Sequence, residues 1–588
     1  MRPRVLPRSR WLFMLMGLAL LAACAAPPPA REAASTQQAA PAEAPRRGGS
    51  ITLAVGSLVP VMGVMGSTTP TGGWAATAEV HSNALVTSDY STRKPIGRLA
   101  ERLPTIDDGG ISLLPDGRMR VVFPIRKGVT WQDGAPFTAH DMVFTAQFNS
   151  DPGIPTVQTD IVTEMQSAEA PDDYTFVLYY KGPYYRGDQL GMRNFWPQPR
   201  HILGPAYERF KESNTPDEVL NHPYWTSEYV HTGPFRLTSF DPADAIVFRA
   251  YDDYFLGRPK VDVVRIRIFS DLNTLYSNLL AGTVDVILET VLEPELGFNL
   301  MDRWNPTGEG QVFVKKSSQR FLSPQVRPSV QIEPAIHDVR VRAALYRALD
   351  REALSEGLQS GHRELAAWEL VWQGEPLYEA TKDAFRPYTY DPDRAKAELR
   401  SLGWAPGPDG VLRNDSDGRR FHTIVTATPG RIEREISAFA DAWRRIGLAA
   451  EEQVVPAAFV RNGEYRANYP SWEASAAGGG DGILGRMEGP AASPVNRWTG
   501  NRGGYEDPRA QELLNRYRTS LSEREQLAAF KAISDFAAAE LPMLILYSTA
   551  EHIAVRKGVK ALDDHTGGES AGRNYGTYSR NSHLWEVE

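Results

Sequence analysis

The longest apolar run comes first: Trp11 to Ala23, behind a basic head of Arg2, Arg4, Arg8 and Arg10. As a helix it would reach only about 20 Å, short of the roughly 30 Å hydrocarbon core, so it reads as a cleaved export signal, not a permanent span. From Ala25 to Arg47 the pattern changes to Ala, Pro, Gln and Glu with no aromatic residue. Such a stretch buries too little surface to offset ordering entropy and reads as a tether. Alternation begins at Gly48-Gly49-Ser50-Ile51-Thr52-Leu53-Ala54-Val55, which predicts the first strand. Further on, Val339 to Leu349 has a helical period, with Val339, Ala343, Leu345, Ala348 and Leu349 inward and Arg340, Arg342 and Arg347 outward. Leu527 to Ala539 behaves similarly. Strands interleaved with such helices predict an α/β fold.

The segment from Val121 to Phe144 is the densest in local signals. A strand ends in a turn at Lys127-Gly128, a short second strand carries Trp131, and Asp133-Gly134 makes a tight turn. Thr138 then caps a helix starting at Ala139, with Asp141 in its favourable first turn.

Composition narrows the function. The formal charge of −8 becomes −12 once the four arginines of the signal are removed, and a mildly acidic chain has no footprint for nucleic acid. Cys24 is the single cysteine in 588 residues. The exported body therefore has no disulfide, and at this length it is expected to split into two or three lobes. Leu21-Ala22-Ala23-Cys24 resembles a lipobox, which implies lipidation of Cys24 and membrane attachment through the lipid. No later apolar run is long enough to span a bilayer.

The string Trp131-Gln132-Asp133-Gly134-Ala135-Pro136-Phe137-Thr138, with its flanking strand and helix, resembles the family 5 extracellular solute-binding proteins. These are the oligopeptide, dipeptide and nickel type receptors of ABC importers. Other family landmarks follow in order: Pro197 to Leu203, Thr232-Gly233-Pro234-Phe235 with Tyr251 to Asp262, and Leu279 to Val286. His337 to Leu354, Tyr388 to Trp404, Tyr505-Glu506-Asp507-Pro508 and Glu540 to Tyr547 complete the series. The resemblance implies a periplasmic-binding-protein-like fold, two α/β lobes joined by a two-strand hinge with a small accessory lobe inserted in the first. On that pattern residues 1–23 are the signal peptide and 24–47 the lipidated cysteine and tether. Lobe I is 48–80, 226–300 and 548–588; the accessory lobe is 81–225; lobe II is 301–547. It also implies a peptide or small-molecule ligand held between the lobes, ABC permease partners, a monomer, an extracytoplasmic location and no cofactor.

A receptor cleft performs no chemistry, so its residues matter as shape, stacking faces and charge partners. Thr71, Gly72, Gly73 and Trp74 follow the opening strand and are expected on the first wall. On the second wall, the resemblance places Gly480 and Asp481 at or near the carboxylate that holds a peptide ammonium. Gly478 to Gly480 stand where peptide binders keep an aromatic residue, which leaves non-peptide solutes open. Phe459, Arg466, Trp498, Tyr505 and Tyr547 are further ligand candidates. A role as a sensor for a signalling partner is an alternative. Gly568-Glu569-Ser570-Ala571-Gly572 satisfies the G-x-S-x-G pattern of a surface serine hydrolase, the alternative of a different class. Only sixteen residues follow it, too few to supply the acid and histidine of a triad. No metal-ligand spacing occurs, and Arg413 to Gly418 reads as a turn rather than a calcium loop.

Overall fold

The computed structural model describes residues 48–56, 62, 73–92, 94–156, 159–288, 291–371, 377–478, 480–563 and 576–588. The predicted signal, Cys24, the tether, Thr71, Gly72 and Ser570 lie outside the described residues.

Two strands organise the architecture, Gly310–Pro324 of 15 residues and Leu544–Arg556 of 13. They pair antiparallel from Gly310 opposite Arg556 to Leu322 opposite Leu544, and the register shifts between Lys316 and Gln319. Among the described residues they sit in the middle of a ten-stranded sheet. On one side, Ser50–Val55 lies between Val263–Ile268 and Val286–Ile287, parallel to both, and Ile246–Ala250 and Phe235–Phe240 complete that edge. On the other side, His422–Ala427 lies between and parallel to Ala449–Val454 and Trp472–Ala477.

Register fixes how the half-sheets face. Ile287 pairs with Ala554, so the carboxyl ends of the first parallel trio point toward the middle of Leu544–Arg556. Ala477 pairs with Gln319, so those of the second trio point toward the same middle from the opposite side. The strand ends thus confront one another across Lys316–Gln319 and Ser548–Ala550, the topological position at which open α/β sheets hold ligands.

A separate four-stranded sheet runs in the order Ile111–Leu113, Met119–Pro124, Thr175–Tyr180, Met165–Asp172. The helix predicted at Ala139 spans Ala139–Ser150. The Asp141 carboxylate accepts the Thr138 N–H at 2.9 Å and the Arg200 N–H at 3.1 Å, and burial raises its pKa despite both bonds. Trp131 is not in a strand. It is fully buried, and its carbonyl accepts the Gly134 N–H that closes the Asp133-Gly134 turn.

The helix predicted from Val339 spans Val339–Arg347, but its buried face is rotated from the expected one. Val341, Ala344, Leu345 and Tyr346 are buried, and so are Arg342 and Arg347, which were expected outward. The Arg342 guanidinium donates to the carbonyls of Ile336, His337 and Glu540 at 2.7, 2.8 and 2.6 Å. Glu540 ends the helix Glu523–Glu540, so the buried cation satisfies a carbonyl that the helix terminus leaves open. No helix among the described residues is long and apolar enough to cross a membrane.

Candidate functional site

At the floor between the facing strand ends the ladder between the two long strands is interrupted. At the register shift the Ser318 and Thr549 hydroxyls hydrogen-bond at 2.9 Å, a side-chain link where the ladder is interrupted. Gln319 donates through Nε2 to the Glu369 carbonyl at 2.6 Å. The Glu369 carboxylate is buried 3.8 Å from Lys316 Nζ, and desolvation raises its pKa against the pull of that lysine. Behind the crossing, the fully buried His552 meets Phe298 edge-on at 4.5 Å, and Phe298 stacks on His362 at 3.5 Å. Phe298 belongs to the helix Pro294–Thr307, so this ring cluster gives the crossing strands a pivot apart from the two main cores.

A cavity of about 380 Å³ opens beside the carboxyl ends of His422–Ala427 and Ala449–Val454. Thr426, Gln453, Asn462, Asn468 and Glu464 supply its polar lining, and Phe459, Tyr465 and Tyr469 its rings. Phe459 is 41 % exposed and lies flat on Tyr465, with centroids 4.6 Å apart and planes at 13°. Beneath this wall, Glu473 of Trp472–Ala477 is buried within reach of three guanidiniums, Arg466 at 2.8 Å, Arg502 at 2.6 Å and Arg486 at 3.3 Å. Burial alone would raise the Glu473 pKa. The three cations outweigh it and hold the carboxyl below its usual range.

Among the described residues, further contacts run between the facing parts of the molecule. Arg431, beyond the end of His422–Ala427, and Arg434 both donate to Glu293, which lies beyond Val286–Ile287, at 3.2 and 3.1 Å. The Tyr185 N–H, from the chain beyond the four-stranded sheet, donates to the Arg518 carbonyl at 2.8 Å, and the Tyr185 and Tyr517 rings lie 4.9 Å apart.

Of the residues singled out in the sequence, Phe459 lines the cavity directly. Arg466 stands on the short helix Gly463–Ala467 beside Tyr465, but is turned onto Glu473. Gly73 is buried and opens the helix Gly73–His81, which contains Trp74, whose side chain lies outside the description. Gly480 and Asp481 lie in the 3₁₀ segment Gly480–Arg486, and their side chains are likewise undescribed. Trp498 follows Arg497 in a left-handed pair, at φ +59° and +53°, and is half-buried with the Arg327 guanidinium 5.9 Å from its ring. Tyr505 and Tyr547 do not form an exposed wall. Tyr505 packs in the core near Arg342, and Tyr547 is fully buried beside the Arg320–Glu435 pair, where burial, with Glu435 adding to it, pushes the phenol well above its usual range. Among the described residues no group of acids and histidines is arranged to hold a metal ion.

Sequence reasoning missed Gln453, Asn462, Asn468, Glu473 and Glu293. Glu473 carried a readable signal, since a charge beside Trp472 inside a buried strand requires partners.

Comparison with known proteins agrees with this architecture. The oligopeptide-binding protein AppA of Bacillus subtilis is 25 % identical over 462 residues, covering 76 % of this chain and 79 % of that protein. Its solved structure in complex with a nonapeptide superposes with a TM-score of 0.65 at 19 % identity, covering 92 % of this chain and 100 % of that one. NikZ of Campylobacter jejuni in complex with Ni(L-His) gives 0.67 at 18 % identity, covering 91 % and 99 %. The periplasmic EDTA-binding protein EppA gives 0.73 at 16 % identity, covering 92 % and 97 %. The fold is that of a periplasmic binding protein. The model described as bacterial extracellular solute-binding proteins, family 5 middle, matches residues 94–489, and the chain belongs to that family.

Proposed function

We propose that this chain is a lipid-anchored extracytoplasmic receptor that captures a solute between two lobes and delivers it to an ABC permease. The observation that carries the reading is the confrontation of two sets of strand carboxyl ends across two long strands whose pairing is interrupted at Lys316–Gln319. Such a crossing bends at little cost, and a ligand touching both sides shifts the population toward the closed form. Lobe I is residues 48–80, 226–300 and 548–588, the accessory lobe 81–225 and lobe II 301–547. The relatives are solute-binding proteins rather than enzymes, and no catalytic step is assigned.

A short peptide is the ligand we propose, in line with the AppA nonapeptide complex. The nickel–histidine and EDTA complexes mark small chelates as the competing class. Native mass spectrometry of the receptor released gently from its membrane tests this. A ladder of amino-acid residue masses is expected; a single non-peptide mass overturns the peptide assignment. Cys24→Ser should move the receptor to the soluble fraction with binding intact, and retained membrane attachment refutes the lipid anchor.

A further inference from the structure

The cavity beside Phe459 has a hydrogen-bonding polarity that its residue names do not reveal. The carboxamide of Asn462 accepts the Tyr465 backbone N–H through Oδ1 at 2.9 Å, as the N-cap of Gly463–Ala467. That of Asn468 accepts the Arg327 guanidinium through Oδ1 at 3.0 Å. A backbone N–H and a guanidinium are donors only, so both amide orientations are fixed and each oxygen is committed to the protein. Gln453 Oε1 lies 3.1 Å from the Thr426 hydroxyl, a group that can donate or accept and so leaves this carboxamide free to take either orientation, and the Tyr469 hydroxyl donates to the Pro324 carbonyl at 3.2 Å. Outward from these bonds stand the N–H₂ groups of Asn462 and Asn468, donors only, beside the Phe459–Tyr465 stack, with the Glu464 carboxylate as the charged acceptor of the lining.

We infer that this cavity seats an uncharged, planar, acceptor-bearing group of the ligand, a secondary amide in chemical class, and that the ligand's charged ends are held elsewhere. The carbonyl oxygen of such a group takes hydrogens from Asn462 and Asn468, its N–H reaches the Glu464 carboxylate, and its flat face lies on Phe459. A carboxylate is opposed by Glu464, since the nearby guanidiniums of Arg466, Arg486 and Arg502 are turned onto Glu473. An ammonium finds one carboxylate and two amide donors, Asn462 and Asn468, with nothing to offer it. The inference rests on the receptor reading but names what one wall of the site recognises.

Asn462→Asp and Asn468→Asp are isosteric tests. Asp caps a helix as well as Asn and still accepts from Arg327, so both structural bonds persist and only the outward donor becomes an acceptor. The full chain, labelled with ¹⁵N at Asn and Gln side chains, is titrated with N-methylacetamide, sodium acetate and methylammonium chloride. The side-chain N–H₂ resonances of Asn462, Asn468 and Gln453 are followed. N-methylacetamide is expected to give the largest saturating response, and the double Asp variant to lose affinity for it by about tenfold with its melting temperature retained. Asn468→Asp alone serves as the second variant should the double substitution unfold the chain, with a loss of about threefold expected. A larger response to acetate or methylammonium, no response to any probe, or unchanged amide affinity in the variants overturns the inference. A receptor that bound no peptide pool would sink the peptide assignment instead and leave these responses readable.

Discussion

Glu293 and Arg431 meet across the cleft, each just beyond the carboxyl end of a strand from opposite half-sheets, with Arg431 Nε donating to Glu293 Oε2 at 3.2 Å. Arg434 donates to the same oxygen, so one carboxylate holds two cations of the facing side. On the receptor reading the pair is lost when the two sides part, so it favours the closed form. Being partly exposed, it contributes about 0.2 to 1 kcal/mol. Glu293→Gln is expected to weaken ligand affinity by about 1.4- to fivefold at low salt, and the difference should fade toward 1 M salt, where the screening length is about 3 Å. Calorimetric titration at both ionic strengths measures it; equal affinities at low salt refute the latch.

Glu473 presents the opposite case, a carboxylate wholly buried with three guanidiniums around it. Removing it leaves three cations crowded in a desolvated place. Glu473→Gln should cost about 3 to 5 kcal/mol in urea unfolding, whereas Arg466→Met, which leaves the carboxylate two partners, should cost clearly less. A loss under about 1 kcal/mol for Glu473→Gln contradicts the assigned role.

The frame of the molecule was legible because its signals are local. The alternation at Ser50–Val55, the Leu272–Ala281 helix ending at Gly282 with φ +76°, and the capped start at Ala139 each follow from a few adjacent residues. The binding wall was less legible because its character depends on partners distant in sequence. Asn468 is a pure donor toward the cavity only because Arg327, 141 residues earlier, occupies its oxygen. Arg466 was read as a free cation, and the structure spends it on Glu473, a pairing that no spacing announces. Tyr547 stands among the ligand candidates of the sequence, and which face of Leu544–Arg556 its ring takes is settled by its place beside Arg320 and Glu435, partners distant in sequence.

Gly233, in the Thr-Gly-Pro-Phe landmark, is needed for close backbone approach. A Cβ there would lie 2.0 Å from the His81 carbonyl carbon and 2.2 Å from the Ser82 nitrogen, both main-chain atoms. The Gln132 side chain also fixes this turn, donating through Nε2 to the Gly233 and Phe235 carbonyls, each at 2.9 Å. Gly233→Ala should therefore cost several times more than Gly257→Ala, where φ is +94° but nothing crowds the Cβ and the penalty is about 1 to 2 kcal/mol. Circular-dichroism melts of the two variants compare them directly; equal losses show that the turn yields.

Buried histidines give the fold an acid limit. Desolvation lowers His552 to about 4 and His81 and His583 to about 3, against an ordinary value near 6.5. The charges and rings that face His552 are Arg431, His362 and Phe298, none of which welcomes a cation, and neither of its ring nitrogens has a hydrogen-bond partner. Above about pH 7 the folded and unfolded chains both carry this ring neutral, and it adds no pH dependence. As pH falls from about 6.5 toward about 4 the unfolded chain takes up a proton that the folded one refuses, so stability declines by up to about 1.4 kcal/mol per pH unit for each such ring. Asp141, Glu333 and Glu369, raised by burial, act with the opposite sign at the acidic end of that range. His552→Phe removes one titrating ring without losing a hydrogen bond. Its urea-unfolding free energy, followed between pH 7.5 and 4.5, should fall less steeply than that of the parent by about one histidine's share, and identical slopes would falsify the assignment of His552 as a buried neutral ring of the hinge.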